Sequence, residues 1–223
     1  MSIRDAIIPG NVRPILVGIA GGSASGKSTI ARLVVEALSG YSTAIIHQDH
    51  FFRDWTSHSG DEERDKIRTA NRPDSVLWPA LVDAVDTIAG GSPVTMPVPG
   101  TRQAARKIDR WTVEARDLLI VDGHLVLWDD DLRTRFDLTV YVDTPDDERV
   151  LRRINRDIAE RGSELATATA WYRHDVMHSY PRFTLPTRWL AHLVIPNPQS
   201  QGAPALPGVQ ALIAAIRSYI ESR

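Results

Sequence analysis

The octapeptide Gly21-Gly22-Ser23-Ala24-Ser25-Gly26-Lys27-Ser28 is the stretch with the clearest chemistry in the chain. Its spacing, G-x-x-x-x-G-K-[ST], is that of a loop that cradles phosphates. Glycines let successive backbone N–H groups turn inward around phosphate oxygens. The helix that follows, entered through Thr29, adds the partial positive charge of its N-terminus. In that setting Lys27 reaches the β- and γ-phosphates of a nucleotide, and the Ser28 hydroxyl is a ligand for magnesium. The expected cofactors are therefore ATP and Mg2+.

Two acids stand where such a loop needs them. Asp122 closes the apolar run Leu118-Leu119-Ile120-Val121, the pattern of a buried strand that ends in a carboxylate near the metal. Asp49 follows a second apolar strand over residues 42–47, at the strand end where open α/β sheets place their ligand groups. It can accept a proton from a substrate hydroxyl, and the plainer alternative is a solvated loop acid. Ser28, Asp49 and Asp122 form the expected metal-binding group. Arg149, Arg152, Arg153 and Arg156 share one side of a helix, opposite Val150, Leu151, Ile154 and Ile158. Arg149 and Arg152 read as an ordinary exposed basic face. His47 and His50 are three apart with no third ligand in sight, so zinc is not expected. Of the six tryptophans most read as packing residues.

These groups need a scaffold of strands alternating with helices. Residues 15–20 are a short β-branched run before the glycine loop. Ile30, Leu33, Val34, Ala37 and Leu38 then recur at the spacing of one helix face, and Gly40 follows. A further helix is expected after Asp74 or Ser75 as N-cap, with Val76, Leu77, Ala80, Leu81, Ala84, Val85 and Ile88 on its apolar face. Residues 138–143 and 192–195 read as strands. Thr144 is the expected cap of the arginine helix, with Pro145 at its first position. Val209, Leu212, Ile213, Ile216 and Ile220 make a closing amphipathic helix. The pattern predicts one α/β domain over 1–223, a five-stranded parallel sheet with helices on both faces. Insertions are expected at about 50–72 and 92–114, the second a hairpin with a Pro99-Gly100 turn. Residues 1–13 read as a short arm.

Whole-chain composition limits the partners. The 223 residues carry a formal net charge of −2, which gives no electrostatic reason for a nucleic-acid partner. There is no cysteine, so neither disulfides nor thiolate chemistry are available. No apolar run is long enough to span a membrane, and no signal-peptide pattern opens the chain. A cytoplasmic protein is the expectation, and homo-oligomerisation is left open.

Four segments together resemble the uridine kinase and phosphoribulokinase family of P-loop kinases: residues 21–28, 48–52, 120–125 and 142–162, with a looser match through 186–196. The resemblance implies transfer of the γ-phosphoryl group of ATP to a hydroxyl of a nucleoside, riboside, sugar or related polyol. It implies Asp49 as general base and Lys27 and Ser28 in the phosphate and metal roles. Asp122 stands where uridine kinases usually have glutamate. Arg153, Arg156 and Arg161 match arginines of a mobile lid, here about 145–180.

The sequence also departs from the uridine-binding pattern. Ala70 and Asn71 stand where uridine kinases carry an aromatic residue and an aspartate. Val98-Pro99-Gly100 replaces a Tyr-Asp-Phe, no histidine occurs from 59 to 123, and Trp171 replaces a glutamine. A site without those hydrogen-bonding groups discriminates a pyrimidine poorly. The expected acceptor is smaller than a pyrimidine nucleoside or negatively charged. Arg102, Arg106 and Lys107 could contact its anionic group, or be solvated surface charges. The alternatives to a kinase are a P-loop ATPase or switch that acts on a partner without a small-molecule acceptor, and a kinase-like binder that has lost catalysis.

Overall fold

The computed structural model describes residues 13–54, 71–198 and 206–222. The arm expected at the N-terminus lies outside them except for Arg13. So do Trp55, Ala70, most of the 50–72 insertion, and residues 199–205. Strand β1 (Ile15–Gly21) runs into the glycine loop, and helix α1 (Lys27–Ala37) begins at its lysine. Strand β2 (Thr43–His47) is followed by a 3-10 turn, Gln48–Phe51, that carries Asp49. A second such turn at Pro73–Ser75 leads to α2 (Trp78–Ala89), β3 (Val94–Met96), a short α3 (Arg102–Ala105) and β4 (Trp111–Val113). Then come β5 (Leu118–Asp122), α4 (Asp130–Arg133), β6 (Leu138–Asp143), α5 (Asp146–Ala159) and α6 (Leu165–Trp171). Two π-helical turns, Tyr172–Val176 and Tyr180–Thr184, and a 3-10 turn, Leu185–Leu190, connect to β7 (Leu193–Pro196) and α7 (Leu206–Glu221).

The main sheet has the order β2-β5-β1-β6-β7, and every pairing in it is parallel. Side chains alternate between its faces. Leu16 and Ala20 of β1, with Leu119 and Val121 of β5, share one core with Leu81, Ala84, Val85 and Ile88 of α2. Ile15, Val17, Ile19, Leu118 and Ile120 share the other with Ile30, Ala31 and Val34 of α1 and Val209, Leu212 and Ile216 of α7. Burial on both faces explains why these strands lack polar alternation. Each fully buried aliphatic side chain contributes about 1.5–3 kcal/mol. The register sets His47 and Ile19 on either side of Asp122. The chemistry-bearing strand ends are thereby aligned along one edge, where sheets of this type hold their ligands. No helix among the described residues is long and apolar enough to cross a membrane.

Two local expectations, both of helix caps, are corrected. Asp74 and Ser75 do not cap α2, which starts at Trp78 with Leu77 in the cap position. The backbone at 76–77 is committed elsewhere: Val76 bridges to Phe52, and the Leu77 N–H donates to the Phe51 carbonyl at 2.8 Å. Thr144 does not cap α5 either. Pro145 does, while the Thr144 hydroxyl donates to the Ser25 carbonyl at 2.9 Å. The 92–114 excursion pairs β3 with β4 antiparallel, Val94 opposite Val113 and Met96 opposite Trp111. This is the expected hairpin, set apart from the main sheet, with the expected turn at Pro99-Gly100 and α3 between its strands.

Candidate active site

The phosphate loop is held from outside. The Ser25 carbonyl accepts from Thr144 Oγ1 at 2.9 Å and from Asn197 Nδ2 at 2.8 Å, so β6 and the end of β7 grip the loop's crown. A Cβ on Gly22 would lie 2.4 Å from Arg149 Nη1, and one on Gly26 2.5 Å from Asn197 Nδ2. Gly26 also has φ +94°, which favours glycine. Lys27 Nζ folds back onto the Gly22 carbonyl at 3.3 Å. Burial pulls its ammonium below the ordinary value, against the attraction of Asp122 and Asp49. A site built for phosphate is where such a lysine regains its charge partner.

Asp122 is buried and shared. One carboxylate oxygen accepts from Ser28 Oγ at 2.5 Å, and the other accepts from His47 Nδ1. Burial opposes its ionisation, yet these two hydrogen bonds and the charge of Lys27 hold its carboxyl below the usual range. The same contact raises His47. His47 is therefore not half of a metal pair with His50, but a partner for the acid of β5. Asp49 is more open, its side chain 68% exposed, with His124 Nδ1 3.9 Å from its carboxylate. Gln48 anchors this corner: it is fully buried, and its Oε1 accepts from the Leu125 N–H at 2.8 Å. Ser28, Asp49 and Asp122 supply hard oxygen donors, which suit magnesium. Among the described residues no three His, Asp or Glu side chains form a metal-binding cluster.

Helix α5 reverses its expected orientation. Its arginine side is the buried one: Arg149 is only 1% exposed, and Arg153 and Asp157 are also buried. Leu151 and Ile158, expected inside, are 59% and 38% exposed. The arginines find partners that a helical projection does not display. The Arg149 guanidinium lies 3.6 Å over the Tyr180 ring and donates to Asp146 at 2.6 Å. Tyr180 in turn meets the Tyr141 hydroxyl of β6 at 3.2 Å. Arg152 pairs with Glu148 at 2.6 Å. Arg153 donates to Ser23 Oγ of the phosphate loop at 2.6 Å and to Asp157 at 2.8 Å. Asp157 also faces Arg161 at 3.2 Å and Arg156 at 3.8 Å, so one buried carboxylate gathers three cations that would otherwise repel.

These groups surround one cavity of about 490 Å3. Ser23, Lys27, Ser28, Asp49, Asp122, Arg153, Arg156 and Arg161 all line it. Gly21, Gly22, Ala24, Ser25, Gly26 and Thr29 shape the loop and its helix without lining the cavity. His50, Phe52, Asn71, Arg102, Arg106, Trp171 and Asp175 also line it, among others. Asn71 Nδ2 donates to the buried Asp175 there. Lys107 does not line the cavity. Sequence reasoning missed Asp157, His124, Asn197, Gln48 and the Asn71–Asp175 pair. Only Asp157 left a local signal, four residues from both Arg153 and Arg161.

The description "phosphoribulokinase / uridine kinase family" belongs to the family model that matches residues 16–202. The chain belongs to that family. The uridine kinase of Clostridium novyi is 37% identical over 186 residues, 83% of this chain and 88% of the relative. That of Alkaliphilus metalliredigens is 34% identical over 211 residues, 95% and 99% of the two chains. Among solved structures, D-glycerate 3-kinase from Cryptococcus neoformans has a TM-score of 0.64 at 12% identity. That match covers 87% of this chain and 90% of that one. It shows a shared fold.

Proposed function

We propose that Asp49 is the general base of an ATP:alcohol phosphotransferase, with Lys27, Arg153, Arg156 and Arg161 stabilising the charge on the transferred group. Family membership makes the chain an ATP-dependent kinase of a small molecule. The roles of individual residues rest on one observation: the phosphate loop, both acids and the arginine helix all line the same cavity. Phosphoryl transfer needs mostly positioning and charge stabilisation. The loop N–H groups and Lys27 hold the phosphates, and guanidinium groups already in place act on charge as it develops. The Asp49 carboxylate accepts the proton of the acceptor hydroxyl as the hydroxyl oxygen attacks the γ-phosphorus, and the bond from that phosphorus to the β,γ-bridging oxygen breaks to release ADP. Magnesium would be held by Ser28 and Asp122, with Asp49 nearby, and supplies charge neutralisation on the phosphates. The whole chain acts as one kinase domain, in which residues 145–180 form a lid.

The acceptor is a hydroxyl of a nucleoside, riboside, sugar or related polyol. The test is ADP release measured with and without a panel of ribosides, pentoses and polyols. Turnover that depends on one of them is expected. ATP hydrolysis at the same rate without any acceptor would overturn the reading in favour of an ATPase.

A further inference from the structure

Two arginines that line the cavity, Arg102 and Arg106, have no ion-pair partner among the described residues. Arg102 sits at the start of α3, and its backbone is fixed against the segment that follows Asp49. Its N–H donates to the Phe52 carbonyl at 2.8 Å, the Asp54 N–H donates to the Gly100 carbonyl at 3.0 Å, and Arg53 bridges to Thr101. The side chain is thereby presented to the cavity, its guanidinium 5.3 Å above the Phe52 ring. Arg106 follows one helical turn later and lines the same cavity. Neither forms an ion pair among the described residues, whereas Arg153, Arg156 and Arg161, which line the same cavity, all face Asp157.

The neighbouring acids do not fill the gap. Asp175 is buried and accepts from Asn71, and Asp49 faces the reacting hydroxyl in the reading above. Burial and the nearby charge of Arg106 pull the Arg102 guanidinium below its ordinary value, despite Asp49, Asp175 and Asp54. A half-buried guanidinium in this position lacks an anion, and guanidinium forks match carboxylate and phosphate oxygens.

Building on the kinase reading, we infer that the acceptor is a small hydroxylated anion, a carboxylate or phosphate monoester, whose charged group binds Arg102 and Arg106. This separates the chain in substrate class from the uridine kinases it resembles. Asp49 addresses the hydroxyl end of such a molecule while the two arginines hold its anionic end.

The test uses the full chain saturated with MgADP, so that the phosphate loop is occupied. Calorimetric titrations compare ribose 5-phosphate with ribose, gluconate with glucitol, and uridine with all four; the two pairs distinguish phosphate from carboxylate. At least one anion is expected to bind about tenfold or more tightly than its neutral counterpart and than uridine. Arg102→Gln and, separately, the exposed Arg106→Gln should each remove most of that preference without changing the affinity for the neutral compound. Thermal melts check that both variants fold, and Arg102→Lys should retain part of the preference. Neutral sugars or uridine binding as tightly as the anions would overturn the inference. So would an anion preference that both variants preserve. Uridine-dependent ADP release alongside a lack of anion preference would leave the kinase reading standing and remove this one alone.

Discussion

The two ends of the cavity settle their charges differently. At the phosphate end the protein supplies its own counterions. Asp157 serves Arg153, Arg156 and Arg161, and Asp122 is bonded by Ser28 and His47. At the acceptor end Arg102 and Arg106 have no ion-pair partner among the described residues, and the carboxylate of the exposed Asp49 lies 3.9 Å from His124 Nδ1. A site for a ligand shared by a whole family can be rigidly prebuilt. A site for a ligand particular to one chain is completed when that ligand arrives. Preorganised charge gives rate, whereas unmatched charge gives selectivity.

Lesions at the two ends should therefore separate kinetically. The largest effect is expected from Lys27→Ala, which removes the ammonium beside the Gly22 carbonyl. Phosphoryl transfer should fall about a thousandfold or more, with an unchanged far-ultraviolet circular dichroism spectrum. Retained turnover, or a lost fold, would contradict the role given to this lysine. Asp49→Asn should lower kcat by about 10²–10⁴ while KM for ATP stays near the wild-type value. A kcat that barely moves with a true acceptor would mean that the proton goes elsewhere.

The third lesion tests the mechanical side of the phosphate end. In Gly22→Ala the new methyl group would meet Arg149 Nη1 at 2.4 Å and Tyr180 Cε2 at 2.9 Å. Arg149 cannot retreat, because it is buried, stacked on Tyr180 and bonded to Asp146. Overpacking of this kind costs about 1–3 kcal/mol. A lower Tm and a raised KM for ATP are expected, with KM for the acceptor little changed. If both KM values rise together, the two ends are more tightly coupled than their separate hydrogen-bond networks imply.

The same division governed what the sequence could reveal. The glycine loop, the strand ending in Asp122, the five-stranded parallel sheet and Asp49 at a strand end were all readable, because each is a local pattern with a local physical cause. The orientation of α5 was not. A helical projection assumes that the core is hydrocarbon, and here the surface facing α5 is Tyr180, Gly22 and Ser23, which accept guanidinium groups. Val150, Leu151, Ile154 and Ile158 therefore gave the wrong inner face. The start of α2 was misplaced for a related reason: the contact of Val76 with Phe52 is between segments 24 residues apart and has no signature at Asp74 or Ser75. The Asn71–Asp175 pair spans 104 residues and leaves no trace in either segment. Arg102 and Arg106 were visible as a basic cluster, but only the backbone bonds of Arg102, Arg53 and Asp54 turn them toward Asp49.

The smallest expected effect lies at Trp171, and it probes the acceptor end by volume rather than charge. This residue is 50% exposed, at the rim where the shared cavity meets a second groove lined by Asp157, Arg161, Ser163, Thr167 and His174. Its ring leans against His174 with centroids 6.3 Å apart and makes no hydrogen bond among the described residues. Little of the fold depends on it, so Trp171→Gln should change stability by no more than about 0.5 kcal/mol. What it removes is bulk at the position that the resemblance matches to a glutamine of the uridine kinases. Uridine should therefore gain a few-fold in kcat/KM relative to a small acceptor, about 0.5–1 kcal/mol of discrimination at the lower end of what shape alone supplies. KM for ATP should not move. Parallel losses for uridine and the small acceptor would make Trp171 a wall for both, and an altered KM for ATP would place its influence at the phosphate end instead.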